Sequence, residues 1–397
     1  MTTVVPRGFR FAGVHCGIKK VAGKEDFTLV HAPDGAVTAG VYTQNLVYAA
    51  PVALDRERTP AADIKVVAVN SGNANACTGE RGMNDARQMA KLAAEAIGGN
   101  EKQSLVMSTG VIGVFLPMEK VAAGVQLAAE KLSDTADGFH AASRGIMTTD
   151  LGPKVISRSI QIGGREIRLA GMCKGAGMIG PNMATMLGLM LTDAPLSLAD
   201  CQTSLTSAVQ DSFNCISVEG HMSTNDTVLL MSSGKAGGPP LTGADLAEFQ
   251  KALSETCIDL AKQIPNDGEG ATHLIEIKIV GMKTRTDARQ IAQTVANSSL
   301  VKTAITGGDP NWGRIVSAAG YAGIPFDPAG VDLTVNGHLL YLKGVPQPFD
   351  AKTVSAAIKS QRDTKIVLTF REGDEGIRFW TSDLTVEYVR FNADYTT

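Results

Sequence analysis

The sequence is poor in aromatic residues, nearly balanced in charge and without a hydrophobic run long enough to cross a membrane. Only 5% of its 397 residues are Phe, Trp or Tyr, and 37 Lys and Arg stand against 40 Asp and Glu, a formal net charge of −3. Proteins that bind nucleic acid or anionic membranes usually carry a basic excess or a basic tract. The longest apolar run, residues 183–191, is far shorter than the ~20 residues of a membrane span. We therefore expect no nucleic-acid partner and no membrane partner.

Cysteine is also sparse. Six cysteines are scattered along the chain, with no CxxC pair and no companion histidines at metal-binding spacing. Disulfide frameworks are typical of short secreted chains, so we expect reduced thiols. The first ten residues hold Pro6, Arg7 and Arg10 and lack the apolar segment of a signal peptide. These features favour a cytoplasmic protein without a bound metal.

The common catalytic signatures are missing as well. The sequence has no GxSxG elbow, no HExxH and no Walker lysine motif. The six histidines stand singly, so no base-and-nucleophile spacing is visible, and each is most simply interpreted as structural. The catalytic class therefore has to come from other residues.

Glycine, in contrast, is abundant: 42 of 397 residues, against a usual ~7%. Residues 175–180 (GAGMIG) match GxGxxG, but Pro181 and Asn182 follow at once, where a dinucleotide site needs the start of a helix. The pattern favours a loop whose backbone approaches another segment closely over a nucleotide site.

Apolar periodicity predicts interleaved strands and helices. Helices are predicted at 83–97, 118–132, 198–213, 244–263 and 286–296, and strands at 64–69, 104–107, 167–170 and 273–280. The end of the chain is predicted to be mostly strand, at 332–336, 365–370, 377–380 and 384–391, and residues 234–240 (GKAGGPP) a surface turn. The pattern predicts an α/β (α+β) protein with more than one layer.

The glycine loop leads into a threonine, Thr185, and then into an apolar run. In N-terminal-nucleophile enzymes, a threonine hydroxyl in such a place attacks the preceding carbonyl and cleaves the chain. The freed α-amine, with a reference pKa of ~7.7–8.0, then serves as the general base. A threonine beside a strand is more often a simple β-former, so these residues alone favour the structural interpretation.

A family resemblance changes that balance. Residues 174–187 (KGAGMIGPNMATML) resemble the self-cleavage motif of the ornithine acetyltransferase (glutamate N-acetyltransferase) family, in which an Ala-Thr bond is cut. Ala176 and Gly180 stand where the family more often has Ser and Ala, and residues 219–222 (EGHM) replace a more usual Asp-Gly-Asp-Thr pattern. Seven further stretches resemble the family in order: 69–79 (VNSGNANACTG), 108–113 (STGVIG), 146–150 (IMTTD), 223–229 (STNDTVL), 267–273 (DGEGATH), 308–314 (GDPNWGR) and 392–397 (NADYTT).

The resemblance implies a set of site residues and a division of the chain. Cleavage between Ala184 and Thr185 would give an alpha chain, 1–184, and a beta chain, 185–397, the core continuing over about 185–280 and a smaller C-terminal α/β domain spanning 281–397. The implied core is of the helix–sheet–sheet–helix type. Thr185 would be the nucleophile and Thr109 and Gly110 the oxyanion hole. The implied substrate-binding residues are Thr148, Lys174, Thr185, Glu269, Asn392 and Thr397.

The implied activity is transfer of the acetyl group from N-acetylornithine to glutamate through an acetyl-Thr185 intermediate, a ping-pong reaction of arginine biosynthesis. It requires no metal or organic cofactor. Some members also use acetyl-CoA, which stays a candidate co-substrate because no motif here separates the two kinds. The resemblance further implies a heterotetramer of two alpha and two beta chains. Two alternatives stay open: a self-processed amidohydrolase or aminopeptidase, and a ligand-binding protein that is never cleaved.

Overall fold

The computed structural model describes residues 3–180 and 186–394, in which strands and helices alternate along most of the chain. The strands are β1 (Arg10–Val14), β2 (Phe27–Tyr42), β3 (Ala61–Asn73), β4 (Ser104–Val111), β5 (Lys154–Ile162), β6 (Arg165–Lys174), β7 (Leu187–Thr192), β8 (Ile216–Ser217), β9 (Thr227–Ser232), β10 (Leu274–Met282), β11 (Asp332–Val335), β12 (His338–Leu342), β13 (Val345–Pro346), β14 (Asp363–Thr369) and β15 (Glu375–Ser382). The helices are α1 (Ala50–Arg58), α2 (Gly79–Ala96), α3 (Met118–Glu130), α4 (Ala136–Gly145), α5 (Leu198–Asp211), α6 (Gly243–Ala261), α7 (Gln263–Asn266), α8 (Arg285–Ala296), α9 (Ser299–Gly307), α10 (Trp312–Gly320), α11 (Ala351–Lys359) and α12 (Val386–Asp394).

The first sheet has the order β4-β3-β2-β9-β7-β6-β5, with β1 paired to β2. Strands β3 and β4 are parallel, as are β7 and β9. Successive side chains of a strand face opposite sides. Val67 of β3 lies in the same buried cluster as Leu189 of β7, whereas their neighbours Val66 and Met190 lie in two other clusters. The sheet therefore folds over on itself into two stacked layers, joined along the long strand β2, which pairs with both β3 and β9.

Helices cover both outer faces of this double layer. Helix α2 buries Ala86, Met89, Ala90 and Ala93, the i, i+3, i+4, i+7 spacing of one helical face. With α3, that face packs on the β3 and β4 side. Helices α5 and α6 cover the β7 and β9 side. The layers run helix, sheet, sheet, helix, which confirms the predicted fold class.

The second sheet has the order β13-β12-β11-β14-β10-β15-β8. Ile275, Ile277 and Ile279 of β10 alternate onto its buried face, where α8 packs with Ile291 and Val295. Strand β8 comes from an earlier part of the chain than the others, so it connects this sheet to the first. The division of the chain at residue 184 and near residue 280 stays a prediction.

The predicted elements are confirmed except at the end of the chain. The alternation of Leu384, Val386 and Tyr388 with polar residues predicts a strand over 384–391, but the chain enters helix α12 at Val386. The hydroxyl of Thr385 accepts a hydrogen bond from the main-chain N–H of Tyr388 at 3.2 Å, which satisfies a free amide of the first helical turn. No residue of α12 is buried, so the alternation has no sheet face to cover. No helix in residues 3–180 and 186–394 is long and apolar enough to cross a membrane.

Candidate active site

A cavity of about 320 Å³ collects side chains from most of the matched sequence stretches. Six predicted site residues line it: Thr109, Gly110, Thr148, Lys174, Glu269 and Asn392. The other three, Ala184, Thr185 and Thr397, lie outside the described residues. Its described lining also includes Ala74, Ile112, Thr149, Gly177, Met178, Ser223, Thr224 and Asn225.

Strand pairing explains why these distant stretches meet. Thr109 lies opposite Ser71 in the parallel pair β3–β4. Lys174, the last residue of β6, lies opposite Leu187, the first residue of β7. Leu187 in turn lies opposite Thr227, the first residue of β9. The ends of β4 and β6 therefore meet the starts of β7 and β9, and Thr185 precedes β7 by two residues.

Gly110 occupies a position that only glycine can fill. Its φ of +134° is a conformation that side chains rarely adopt. A β-carbon there would lie 2.3 Å from the carbonyl carbon of Gly72 and 2.5 Å from the nitrogen of Asn73. The close approach of these two backbones fixes the end of β4 next to the cavity.

Lys174 and Thr109 form a buried polar pair. The Lys174 Nζ donates to Thr109 Oγ1 at 3.0 Å, and the two residues are 2% and 3% exposed. Burial lowers the pKa of Lys174, although the Asp150 carboxylate opposes the shift. Because Lys174 occupies a lone pair of the hydroxyl oxygen, the hydroxyl hydrogen of Thr109 remains available to a second acceptor. This is the arrangement that an oxyanion-hole hydroxyl requires.

Asp150 holds the loops around this pair together. Its carboxylate accepts hydrogen bonds from Lys154 Nζ at 2.6 Å and from the main-chain N–H groups of Gly175 at 2.7 Å and Thr148 at 2.9 Å. Lys154 Nζ also lies 2.5 Å from Asp267 Oδ2. Burial alone would raise the pKa of Asp150, but the nearby lysine ammonium groups outweigh it and lower the pKa to about 2. Asp150 is therefore ionised and joins the Thr148 loop to the start of the glycine loop.

The glycine loop approaches its neighbours as closely as its sequence predicts. A β-carbon on Gly177 would lie 2.4 Å from Glu269 Oε2, and one on Gly180 would lie 2.6 Å from the carbonyl carbon of Gly220. The N–H of Glu269 donates to the carbonyl of Ala176 at 2.9 Å. These contacts confirm that the loop is rich in glycine because other backbone and side-chain atoms lie against it.

Asn392 brings helix α12 to the cavity. Asn392 Nδ2 donates to Glu269 Oε2 at 3.0 Å. The start of α12 is fixed by Thr385, whose hydroxyl donates to the Gly270 carbonyl at 2.7 Å. The last described turn of the chain thus lies beside the carboxylate of Glu269.

Two important residues of the stretch 223–229 were not among the predicted site residues. Asp226 is fully buried, and its Oδ1 accepts a hydrogen bond from the N–H of Met186 at 2.9 Å. Burial raises the pKa of Asp226 to about 8. Asn225 Nδ2 donates to the carbonyls of Ala74 at 2.6 Å and Ser108 at 2.8 Å. The family resemblance identifies this stretch, but the hydrogen bonds of its side chains are seen only in the structure.

Glu219, where the sequence departs from the family pattern, supports the glycine loop. Its Oε1 accepts a hydrogen bond from the N–H of Ile179 at 2.5 Å, and the Ile179 carbonyl accepts one from the N–H of Val218 at 2.9 Å. Burial raises the pKa of Glu219 to about 8. Nothing in the structure explains His221.

No group of three or more His, Cys, Asp or Glu side chains in residues 3–180 and 186–394 could hold a metal ion. Trp312, from the matched stretch 308–314, lies elsewhere and stacks on Tyr341, with ring centroids 5.2 Å apart. It is half-buried against the core, in keeping with a structural role.

Comparison with known proteins places the chain. The ArgJ family model matches residues 10–397. The arginine biosynthesis bifunctional protein ArgJ of Rhodopirellula baltica is 48% identical, over 99% of this chain and 97% of its own. The protein of the same name from Symbiobacterium thermophilum is 46% identical, over 99% and 98%. The crystal structure of the arginine biosynthesis bifunctional protein ArgJ of Bacillus halodurans is 39% identical, with a TM-score of 0.51, and the match covers 52% of this chain and 98% of that one. The chain belongs to the ArgJ family.

Proposed function

We propose that this chain cleaves itself between Ala184 and Thr185 and then transfers the acetyl group of N-acetylornithine to glutamate through an ester on Thr185. One observation carries the proposal: Thr109, Gly110 and Lys174 line the same cavity, next to the start of β7. Strand β7 begins two residues after Thr185 in the sequence. Membership of a family whose relatives are named arginine biosynthesis proteins supports the pathway.

Self-cleavage needs only groups of this chain and water. The Thr185 hydroxyl oxygen attacks the carbonyl carbon of Ala184, the carbon–nitrogen bond breaks, and the hydroxyl proton passes to the released nitrogen. Water then hydrolyses the ester, which leaves a carboxylate on Ala184 and a free α-amine on Thr185. A glycine loop suits this step because its backbone can bend toward the attacking oxygen.

Acetyl transfer repeats the same chemistry on a substrate. The Thr185 hydroxyl attacks the acetyl carbonyl, its proton passes through the α-amine to the departing nitrogen, and ornithine leaves. The α-amine of glutamate then attacks the acetyl ester, and N-acetylglutamate leaves as the hydroxyl is restored. Each tetrahedral intermediate carries an oxyanion, for which the Thr109 hydroxyl and the Gly110 N–H are the proposed donors.

Substrate charge matches the cavity. Lys174 is the only cation and Glu269 the only anion among the described residues that line it. N-acetylornithine carries one carboxylate and one side-chain ammonium, so we assign the carboxylate to Lys174 and the ammonium to Glu269. Thr148, Asn392 and Thr397 complete the proposed binding set.

The wider setting is also proposed. The two chains would assemble as a heterotetramer of two alpha and two beta chains, and the enzyme would work in the cytoplasm. All six cysteines are free, which suits a reducing compartment. The relatives are called bifunctional, and for this chain we propose acetyl-CoA-dependent acetylation of glutamate as the second activity.

The test combines mass and kinetics. The purified protein is expected to give fragments of 184 and 213 residues, together the 397 of the full chain, and to make N-acetylglutamate from N-acetylornithine and glutamate. Thr185→Ala is expected to stay intact and inactive, and Thr185→Ser, which keeps a hydroxyl, to cleave. Acetate release without glutamate would instead support the amidohydrolase, and an intact, inactive wild-type chain would support the ligand-binding protein. Turnover of acetyl-CoA with glutamate alone tests the second activity.

A further inference from the structure

A second cavity, of about 240 Å³, adjoins the active-site cavity, and its lining carries one more positive than negative side chain. Both are lined by Thr148, so that residue forms part of each wall. The second cavity is also lined by Lys19, Lys24 and Arg144 and by the carboxylates of Glu25 and Asp150. The Asp150 carboxylate is paired with Lys154, with 2.6 Å between Oδ1 and Nζ. Glu25 pairs with Arg144, with 2.7 Å between Oε1 and Nε, whereas neither lysine forms an ion pair with a carboxylate in the described part of the chain.

Hydrogen bonds to the main chain and the side chain of Lys19 fix its position. Lys19 lies in the loop between β1 and β2, and the buried Asp26 accepts hydrogen bonds from the N–H groups of Lys19 at 3.0 Å and Cys16 at 2.6 Å. The Lys19 Nζ donates to the main-chain carbonyl of Glu25 at 2.7 Å, which leaves its other protons for a ligand. Burial lowers the pKa of Lys19 to about 8 although Asp26 opposes the shift, and a bound anion would offset that cost.

Lys19 is also close to the proposed oxyanion hole. A β-carbon on Gly72 would lie 3.2 Å from Lys19 Cγ, and the backbone of Gly72 is the one against which Gly110 packs. Gly72 therefore lies close both to the lysine stem and to Gly110.

The proposed reaction creates a need for such a site. The α-nitrogen of the donor leaves, and that of the acceptor attacks, the same acetyl carbonyl carbon, which Thr185 carries in the intermediate. The donor's side chain ends in an ammonium and the acceptor's in a carboxylate. Glu269 suits the ammonium but would repel the carboxylate, and Lys174 is already assigned to a carboxylate. The second carboxylate of glutamate has no cation left in the active-site cavity as described.

We infer that the cavity of Lys19 and Lys24 binds the side-chain carboxylate of the acceptor glutamate, whose side chain would extend from the active-site cavity along Thr148. The inference rests on the proposed acetyl transfer and adds to it a separate side-chain subsite for each substrate. The donor would direct its ammonium to Glu269, and the acceptor its carboxylate to Lys19.

The test compares Lys19→Met and Lys24→Met with Lys20→Met. Lys20 is exposed, next to Lys19 and not in the cavity lining, so it is the matched control. Loss of a charged hydrogen bond predicts a rise of about ten-fold or more in the KM for glutamate in Lys19→Met, a smaller rise in Lys24→Met and none in Lys20→Met. Ornithine release from N-acetylornithine in the absence of glutamate should be unchanged, which also verifies folding.

Glutamine provides the second arm, because its side chain has the same shape and no charge. Lys19→Met should hardly change the KM for glutamine, and Lys19→Arg should keep most of the affinity for glutamate. An unchanged KM for glutamate in Lys19→Met, an equal loss with glutamine, or an effect confined to acetyl-CoA would overturn the inference. Failure of the wild-type protein to transfer acetyl at all would overturn the proposed function instead.

Discussion

The carboxyl group of Asp226 accepts a hydrogen bond from the main-chain N–H of Met186, with 2.9 Å between Oδ1 and the nitrogen. Met186 directly follows Thr185, and Asp226 directly precedes β9. Since β7 and β9 are parallel and begin level with each other, one buried side chain fixes the chain immediately after the proposed nucleophile. We therefore predict that Asp226 positions Thr185.

Replacing Asp226 tests this role. Asp226→Ala leaves the buried Met186 N–H without its acceptor, which predicts a loss of about 1–3 kcal/mol in the free energy of unfolding and slower self-cleavage in a time course of intact mass. Asp226→Asn keeps an acceptor oxygen at the same place, so cleavage should be restored at least in part. If alanine cleaved as fast as the wild type, or asparagine as slowly as alanine, the contact would not position Thr185.

The same carboxyl group, together with Glu219, predicts a stability that falls toward alkaline pH. Burial raises both pKa values to about 8, above the ~4 of an unfolded chain. Their stabilising contribution is therefore complete below pH ~4 and is lost as the pH rises through about 8. Asp226→Asn and Glu219→Gln should each flatten the fall of the apparent Tm between pH 5 and 9. Glu248→Gln, at an exposed position of α6, should leave the profile as it is.

Much of the fold and part of the site could be predicted because they depend on local pattern. The alternation of Ile275, Ile277 and Ile279 predicts a strand, and the spacing of Met89 and Ala93 helps predict a helix. The alternation after residue 384 is equally clear but led to a wrong prediction, because a capping contact and an absent sheet edge decide that segment. A local sequence pattern cannot reveal that β2 pairs with both β3 and β9. This pairing stacks the two layers and brings together residues far apart in sequence.

The candidate site divides in the same way. The resemblance named Lys174 and Glu269, and the structure places them in one cavity. The resemblance could not reveal the hydrogen bond between Asp226 and Met186, because the two residues lie 40 positions apart in the sequence. Nor could it reveal the approach of Lys19 to Gly72, because a loop near the start of the chain carries no periodic signal.

Thr109 offers a direct test of the proposed oxyanion hole. Thr109→Val keeps the shape of the side chain but removes the hydroxyl donor, so kcat is expected to fall by ~10²–10³, while KM changes little. Thr109→Ser keeps the hydroxyl, and with it the hydrogen bond from Lys174, and should retain most of the activity. Single-turnover measurement of ornithine release isolates the step. Equal rates in the valine and serine variants would exclude the hydroxyl as the donor.

The end of the chain is predicted to be essential for transfer but not for folding. Deleting residues 395–397 removes Thr397, a proposed substrate contact, and should abolish transfer with an unchanged circular dichroism spectrum. Asn392→Leu removes a proposed substrate contact and the amide that orients Glu269, and should raise the KM for N-acetylornithine several-fold. Arg390→Ala is the control on the same helix, since its exposed pair with Glu387 is worth little. Full activity of the shortened chain would remove the C-terminus from the site.

Asp150 should stabilise the site at neutral pH and lose this contribution in strong acid. Its pKa is lowered to about 2 by the lysine ammonium groups despite its burial. Its contribution to the free energy of unfolding is therefore present above pH ~4 and is lost as the pH falls through about 2.

Replacing Lys154 tests the ion-pair network around Asp150. Lys154→Met would leave Asp150 and Asp267 without their shared cation, which predicts a loss of about 3–5 kcal/mol in the free energy of unfolding. The double variant Asp150→Asn/Lys154→Met should be less destabilised than the single one, because the buried negative charge of Asp150 is removed together with its cation. Glu95→Gln, which breaks the exposed pair with Lys91, should change the apparent Tm by only about a tenth as much. A Lys154→Met protein no less stable than this control, at pH 7, would mean that the network does not anchor the glycine loop.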